Sequence, residues 1–316
     1  MDLVKEEKDY QMMKEFPFIF QKSYEYFCLE SNLENVVVQD KSKKIFLPFI
    51  LSNSKFLKTL TILHPPLAFS HKITRDEEKK FLENFIKYAS EKKIADRIKF
   101  PMHLGKYMST PANSKSIKFG MLQINLNKEI DKIFNDFRKN YRYEIKRCHR
   151  EGVSVTFGHE QFDVFYNLYE KTMLRNQLHL ESKPALKQLI KSSDNFICAV
   201  SYFNNEVAGV ALVPYSKHSG FYFLGGSAEN QKISGALKIM HWEIIKFLKK
   251  RGVDKYILGG IRMEEIENKK IKGINNFKLG FGCFIDEGFL WRKDLKKFKC
   301  RVYDFLFFLK YRYFEH

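Results

Sequence analysis

Cysteine is sparse in this 316-residue chain: there are five, Cys28, Cys148, Cys198, Cys283 and Cys300, an odd number with no CxxC pair. That count and spacing speak against a disulfide framework or a zinc ribbon. His64, His103 and His149 form no HxxxH or similar spacing, so no metal site is legible. No apolar run reaches the ~18 residues that a spanning helix needs. The opening MDLVKEEKDYQMMKEF carries acids and no apolar h-region, so no signal peptide is expected. Short-period repeats and low-complexity linkers are also missing. These absences predict a protein of the reducing cytoplasm that works without a metal.

Acidic residues are in the minority as well. Lys and Arg total 55 against 37 Asp and Glu, a formal charge of +18. A surplus of this size concerns partners more than fold. It favours polyanions: nucleic acid, nucleotide-linked substrates or an anionic membrane face. A basic but merely solvated surface is the alternative. Hydrophobic residues make up 44% of the chain, which excludes wholesale disorder. The length suits about two domains or one large one.

Periodicity and turn chemistry predict mixed α and β structure. Strands are expected at 36–39 and 44–51. Thr74-x-x-Glu77 is a capping-box pattern that opens a helix to about Ser90, with Phe81, Phe85, Ile86 and Ala89 on one face. Residues 98–100 and 117–126 read as extended. A single helix is expected over 127–151, ended by Gly152, then a strand at 153–157 and helices at 161–174 and 183–191. Strands at 196–203 and 206–214 meet at Asn204–Asn205 as a hairpin, and 220–224 is extended. A helix at 234–250 ends at Gly252, and a strand at 253–258 leads into Gly259–Gly260. Two short strands at 283–286 and 289–292 precede a basic aromatic helix from Leu295. The fold class is α+β with mostly antiparallel strands.

The most specific text lies in the second half. Residues 139–155 read KNYRYEIKRCHREGVSV, 222–263 contain YFLGGS, HWEII and GGI, and 273–282 read GINNFKLGFG. In this order the blocks resemble the FemABX peptidyltransferases and the FemAB-related acyltransferases of the GNAT superfamily. The resemblance covers about 127–290. Residues 20–26, FQKSYEY, resemble the family's Q-S-x-x-W entry with Tyr26 in place of Trp. The resemblance implies two tandem GNAT-like domains around a basic cleft. The first would be residues 1–126, degenerate and completed by 291–316; the second, 127–290, would be catalytic. It also implies transfer of an aminoacyl or acyl group to an amine of a cell-envelope precursor, such as a peptidoglycan muropeptide. The donor would be the acceptor arm of an aminoacyl-tRNA, or acyl-CoA, and no cofactor beyond that co-substrate is implied.

Lys278, in Phe277-Lys278, matches the family's F-K motif, which implies a cation beside the tetrahedral intermediate. A surface lysine ending an element is the alternative. Arg175 matches an arginine that contacts the acceptor diphosphate; a helix-end arginine meeting the macrodipole is the other reading. Arg142, Lys146 and Arg150 recur at i, i+4 and i+8, either an RNA-phosphate track or a solvated helix face. Phe277, Gly226 and Gly260 are further substrate-site candidates, the glycines because they permit close backbone approach. Gln231, Ser234 and Gly235 stand where GNAT enzymes cradle the coenzyme A pyrophosphate. Ser234 replaces the first glycine there and reads equally as a helix N-cap. The family's Y-D-x-G-G-I is here Tyr256-Ile257-Leu258-Gly259-Gly260-Ile261, without the carboxylate, whose role falls vacant or to Asp254 or Glu264.

His241 reads as structural. The C-terminal helix shows a core-like stripe, Phe298, Val302, Phe305, Leu306, Leu309 and Tyr313, expected to pack on the first domain; peripheral contact with the inner face of the plasma membrane is the alternative. An acyl-CoA-dependent N-acyltransferase acting on an amino sugar of a surface polysaccharide, and a non-catalytic RNA- or membrane-binding protein, are the competing functional readings.

Overall fold

The computed structural model describes residues 2–4, 33–40, 45–54, 56–62, 64–68, 71–99, 105–191, 194–264 and 269–311. The first half contains β1 (Asp2–Val4), β2 (Leu33–Asp40), β3 (Ile45–Asn53), β4 (Lys58–Ile62), β5 (Leu67–Ala68), α1 (Arg75–Glu91) and β6 (Arg97–Lys99). Then come β7 (Lys115–Asn125), α2 (Ile130–Asp136), α3 (Lys139–Arg150), β8 (Ser154–Phe157), α4 (Phe162–Arg175) and α5 (Lys183–Lys191). The chain continues through β9 (Phe196–Phe203), β10 (Glu206–Pro214), β11 (Gly220–Phe221), β12 (Leu224–Ser227), α6 (Ala236–Lys250) and β13 (Lys255–Arg262). It closes with α7 (Lys269–Leu279), β14 (Phe284–Asp294) and α8 (Lys297–Tyr311). The 20–26 segment and Tyr313 lie outside the described residues.

Local chemistry explains several elements directly. Thr74 Oγ1 accepts from the Glu77 N–H and the Glu77 carboxylate accepts from the Thr74 N–H, closing the expected capping box on α1. Asn204 and Asn205 both take positive φ, 50° and 61°, as a two-residue turn must if its twist is to match the strands it joins. Phe81, Leu82, Phe85 and Ala89 bury one face of α1 against Leu47, Phe49, Leu60 and Ile98.

One large sheet runs β1-β2-β3-β4-β6-β14-β7-β13-β11, with β5 on β3; a second runs β12-β10-β9-β8. The hinge of the large sheet is β14. Its residues 284–292 pair with β7, while Lys293 and Asp294 pair with β6. The two short strands expected there are one strand. Gly288 makes this possible: a Cβ would lie 2.3 Å from the Tyr107 carbonyl oxygen, and Tyr107 and Phe289 exchange two 2.8 Å backbone hydrogen bonds at that point. β7 pairs with β13 and β14, on the second half's side of the sheet.

The single helix expected at 127–151 is broken. Phe137 and Arg138 are extended, with ψ of 149° and 145°. The break lets the Arg138 N–H donate to the Gly280 carbonyl at 3.0 Å, which a continuous helix would have consumed internally. Arg142 Nη1 then donates to the carbonyls of Asn135 and Phe137, each at 2.6 Å, satisfying the end of α2.

The stretch expected as one strand at 220–224 divides between the two sheets. β11 pairs with β13 in parallel, and the Tyr222 N–H still reaches the Ile257 carbonyl at 2.8 Å. One residue later the Phe223 N–H donates to Leu212 of β10 at 3.1 Å, and β12 follows β10. Two strands that begin side by side thus part at Tyr222–Phe223.

Candidate active site

Beyond that parting point β13 continues without β11, still paired with β7, as Leu258, Gly259, Gly260 and Ile261. The register with β7 slips between Ile257 and Gly259, and Gly259 has φ of 101°, a left-handed conformation that favours glycine. The bulge turns Gly259 toward α7. A Cβ there would lie 2.9 Å from Lys278 Nζ. Gly260 points the other way, where a Cβ would meet the Phe119 ring at 1.9 Å. On the facing strand a Cβ at Gly225 would meet Tyr222 Oη at 2.0 Å, and one at Gly226 would meet Thr172 Oγ1 of α4 at 2.9 Å. Of the four strand-end glycines, Gly225 makes room for the Tyr222 hydroxyl, Gly259 for the Lys278 ammonium, Gly226 for α4 and Gly260 for the Phe119 ring.

Lys278 is the penultimate residue of α7, and α3 holds that helix end. Tyr141 Oη donates to the Phe277 carbonyl at 3.0 Å, and Gly280 lies so close to the Tyr141 ring that a Cβ would reach 2.1 Å. Phe277 packs into an aromatic set with Tyr141, His241 and Phe281. Lys278 Nζ makes no hydrogen bond or ion pair among the described residues. Burial lowers its pKa below the ordinary lysine value, since the charged form is the one that loses hydration.

The described groups packed around this ammonium are neutral. His241, from α6, is fully buried and hydrogen-bonded through Nδ1 to Tyr256 Oη of β13 at 2.9 Å. Burial, reinforced by the Lys278 charge, pulls its pKa down to about 3. Tyr222 stands edge-on to the His241 ring at 4.7 Å, and burial pushes its hydroxyl up to about 12. Cys283 donates its thiol to the Lys278 carbonyl at 3.3 Å and is likewise pushed up to about 12 by burial, so it is no thiolate. The result, among the described residues, is a cation in a polarisable, uncharged lining.

The opposite face of the large sheet fronts the first half. Lys255 there is half-buried, and burial lowers its pKa; Lys72 and Lys106 add repulsion while Asp286 and Asp254 oppose it. Asp286 pairs with Lys106 at 2.9 Å and accepts from Gln123 Nε2 at 3.2 Å. Gln123 sits opposite Ile257, the position at which the family's carboxylate is missing, so Asp286 is a carboxylate on that side of the sheet. Asp254 stands at the other end of β13 beside His218, at 3.8 Å, and Glu264 is exposed beyond Arg262. His64 is half-buried; loss of hydration pulls its pKa down to about 4, and Lys255 contributes to that depression.

The other sequence-level candidates scatter. Arg175 ends α4 and donates through Nη2 to the Ser227 carbonyl at the end of β12, at 3.1 Å, with its remaining donors unengaged among the described residues. Arg142 is committed to the α2 carbonyls. Lys146 is exposed and lies 5.9 Å over the Phe134 ring. Gln231 is exposed. Ser234 is not the N-cap of α6; Gly235 is, with φ of 102° and no side chain to cap. Ser234 instead donates to Glu144 Oε2 at 2.8 Å, and its carbonyl accepts from Arg147 and Cys148. The space left by the absent Gly235 Cβ is filled by Cys148 Sγ and the Glu144 side chain. A carboxylate and a thiol therefore pack against the start of α6. His241 was legible as structural; its place beside Lys278, and those of Tyr222, Tyr256 and Cys283, had no signal in spacing because segments remote in the chain bring them together.

A family model for the acetyltransferase (GNAT) domain matches residues 135–278, the span from α2 to Lys278 itself. The match gives residues 135–278 the character of a GNAT-type acetyltransferase domain. The fold of the chain is that of FemX, whose crystal structure superposes with a TM-score of 0.69 at 11% identity, covering 96% of this chain and 99% of that one. L-PGS from Bacillus licheniformis shares the fold at a TM-score of 0.58, 10% identity, and 94% and 93% coverage. So does the C-terminal domain of a putative lysylphosphatidylglycerol synthetase from Agrobacterium fabrum, at 0.57, 12% identity, and 87% and 89% coverage. No curated protein matches the sequence.

Proposed function

We propose that the protein transfers an aminoacyl group from aminoacyl-tRNA to an amine of a cell-envelope precursor, on the cytoplasmic side. The observation that carries this reading is Lys278: an unpaired, desolvated ammonium held beside the bare backbone of Gly259, where two strands part. A cation without a ground-state partner gains most when an anion forms next to it, so its stabilisation is concentrated in the transition state. The donor ester lies with its carbonyl oxygen toward Nζ. The acceptor amine attacks the carbonyl carbon, the oxyanion forms against Lys278, and collapse expels the ribose oxygen, which takes up the proton lost by the amine.

Two further features favour tRNA over acyl-CoA. Glu144 and Cys148 fill the helix start that a pyrophosphate would occupy, and Glu144 also binds Lys238 at 2.6 Å, neutralising a cation that could have met phosphate. The exposed Lys139, Lys146 and Arg150 of α3 remain for nucleic-acid phosphates. Arg175, exposed at the end of β12 with donors to spare, suits a diphosphate on the acceptor. The FemX-like fold and the name lysylphosphatidylglycerol synthetase on one neighbour are in keeping with an envelope acceptor.

The test is a screen of radiolabelled charged tRNAs and acyl-CoAs against muropeptide and amino-sugar acceptors. Transfer from tRNA is expected, and Lys278→Ala should lower the rate about a hundredfold or more with an intact thermal transition. Wild-type turnover by that variant removes Lys278 from the mechanism. Turnover from acyl-CoA alone moves the protein to the N-acyltransferases, and salt-dependent tRNA binding without transfer of any donor makes it a binding protein.

A further inference from the structure

The C-terminal helix is mounted with its apolar stripe outward. α8 is fastened to the first half by its opposite side. Asp304 clamps the guanidinium of Arg97 at 2.7 and 2.8 Å, Cys300 is buried against the Asp96 carbonyl, and Lys299 and Lys296 reach the Asp96 carboxylate at 2.6 and 3.0 Å. Phe298, Val302, Phe305 and Leu309 follow at i, i+4, i+7 and i+11, one line along the helix, with Leu306 beside it. The sequence predicts this line as core. In the structure Phe298 is 82% exposed and Phe305 and Leu309 are 60% exposed each. A helix packed on a protein body ordinarily turns its apolar line inward. Here an ion-pair cluster has taken the inward position and left a ridge of phenylalanine and leucine in water.

The charges that α8 itself carries beside the ridge all have one sign. Lys297 and Arg301 flank it on one edge and are exposed, and Lys299 stands on the other. Asp304 is the acid of this helix, and Arg97 and Arg292 neutralise it on the inner side. No carboxylate of α8 is left to repel an anionic surface. A second copy of the chain would bring the same basic rims against each other across a two-fold contact, which like charges oppose.

We infer that α8 is a membrane-surface helix that lies in the headgroup–acyl boundary of an anionic bilayer. Phe298, Phe305 and Leu309 enter the acyl margin, while Lys297 and Arg301 lay their stems along the apolar ridge and place their charges among lipid phosphates. The ion pairs to Asp96 and Arg97 make the helix a rigid part of the body, so lipid contact also fixes how the acyltransferase half is held relative to the bilayer. This inference stands apart from the transfer chemistry, and its readout is binding alone.

The experiment is co-sedimentation of the full chain with phosphatidylcholine vesicles, with and without phosphatidylglycerol. The wild type should sediment with the phosphatidylglycerol vesicles and far less with the neutral ones. Phe298→Ser with Phe305→Ser should weaken partitioning about tenfold or more, with an unchanged thermal transition because both positions are exposed. Lys297→Gln with Arg301→Gln should reduce the preference for phosphatidylglycerol. A wild type that stays in the supernatant with anionic vesicles, or a double-serine variant that binds as well as the wild type, overturns the inference. So does a solution dimer that the double-serine variant dissociates while vesicles capture nothing, since the ridge would then belong to a second copy.

Discussion

Arg97 and Lys278 are both cations withdrawn from water, and the molecule treats them in opposite ways. Arg97 has two carboxylates within 2.8 Å, Asp294 and Asp304, and they raise its already high pKa in spite of burial. Lys278 has none among the described residues, and burial lowers its pKa with only the Cys283 thiol opposing. A buried charge that is paired joins parts of the fold; Arg97 ties β6 to β14 and α8. A buried charge that is unpaired costs stability and is kept where an anion arrives during the reaction. The residue types suit the split. The fork of arginine takes two carboxylates at once, and the single ammonium of lysine can follow one oxygen as its charge develops.

The contrast can be broken most directly at Gly259. Gly259→Ala places a Cβ 2.9 Å from Lys278 Nζ and forces a φ of 101° on an L residue. Displacing a reacting group by about 1 Å costs on the order of a hundredfold, so steady-state transfer should fall about that much while denaturant unfolding shifts less. A fully active Gly259→Ala enzyme would separate the strand opening from the chemistry. Next in size is Arg97→Met. It takes the guanidinium from Asp294 and leaves Asp304 with Arg292 alone, at 3.8 Å, and should cost about 3 kcal/mol in urea unfolding, leaving transfer by the folded protein intact.

Lys278→Met should do the reverse and stabilise the fold. The sign follows from linkage. The unfolded chain binds the lysine proton more tightly than the folded one, so the cost is full below the folded pKa. It fades as pH rises to the ordinary lysine value. The melting temperature of Lys278→Met should therefore exceed that of the wild type at neutral pH, and the gap should close toward pH 10 or so. A destabilised Lys278→Met would mean that the ammonium has a partner. The smallest effect is expected in mild acid. His241 and His64 are neutral when folded, with pKa values of about 3 and about 4, and protonated when unfolded below about 6.5. Stability should slope downward as pH falls from about 6.5 toward 4, read from urea midpoints. A flat profile would place both rings in water.

Much of the secondary structure was legible because its causes are local. The α1 capping box, the Asn204–Asn205 turn and the end of α6 at Gly252 each rest on a few neighbouring residues. Lys278, Phe277 and Arg175 were legible as candidates through motif resemblance. What they are paired with, or left without, was not. Arg142 and Ser234, read as phosphate contacts, are engaged with backbone and with Glu144, partners that sequence spacing cannot disclose. The break at Phe137–Arg138 was hidden because the apolar periodicity runs straight through it, and only the distant Gly280 carbonyl gives the chain a reason to stop.

The chain by itself determined where helices, strands and tight turns form, because side-chain period, capping and left-handed turn residues act within a few positions. It also determined the surplus of positive charge. Tertiary structure decided which cations are matched, where β11 and β12 part, that β14 serves both halves of one sheet, and that the apolar line of α8 faces outward. Those outcomes depend on which groups from remote segments arrive at the same place. Burial and charge pairing are settled by proximity in space, and no local rule in the sequence encodes it.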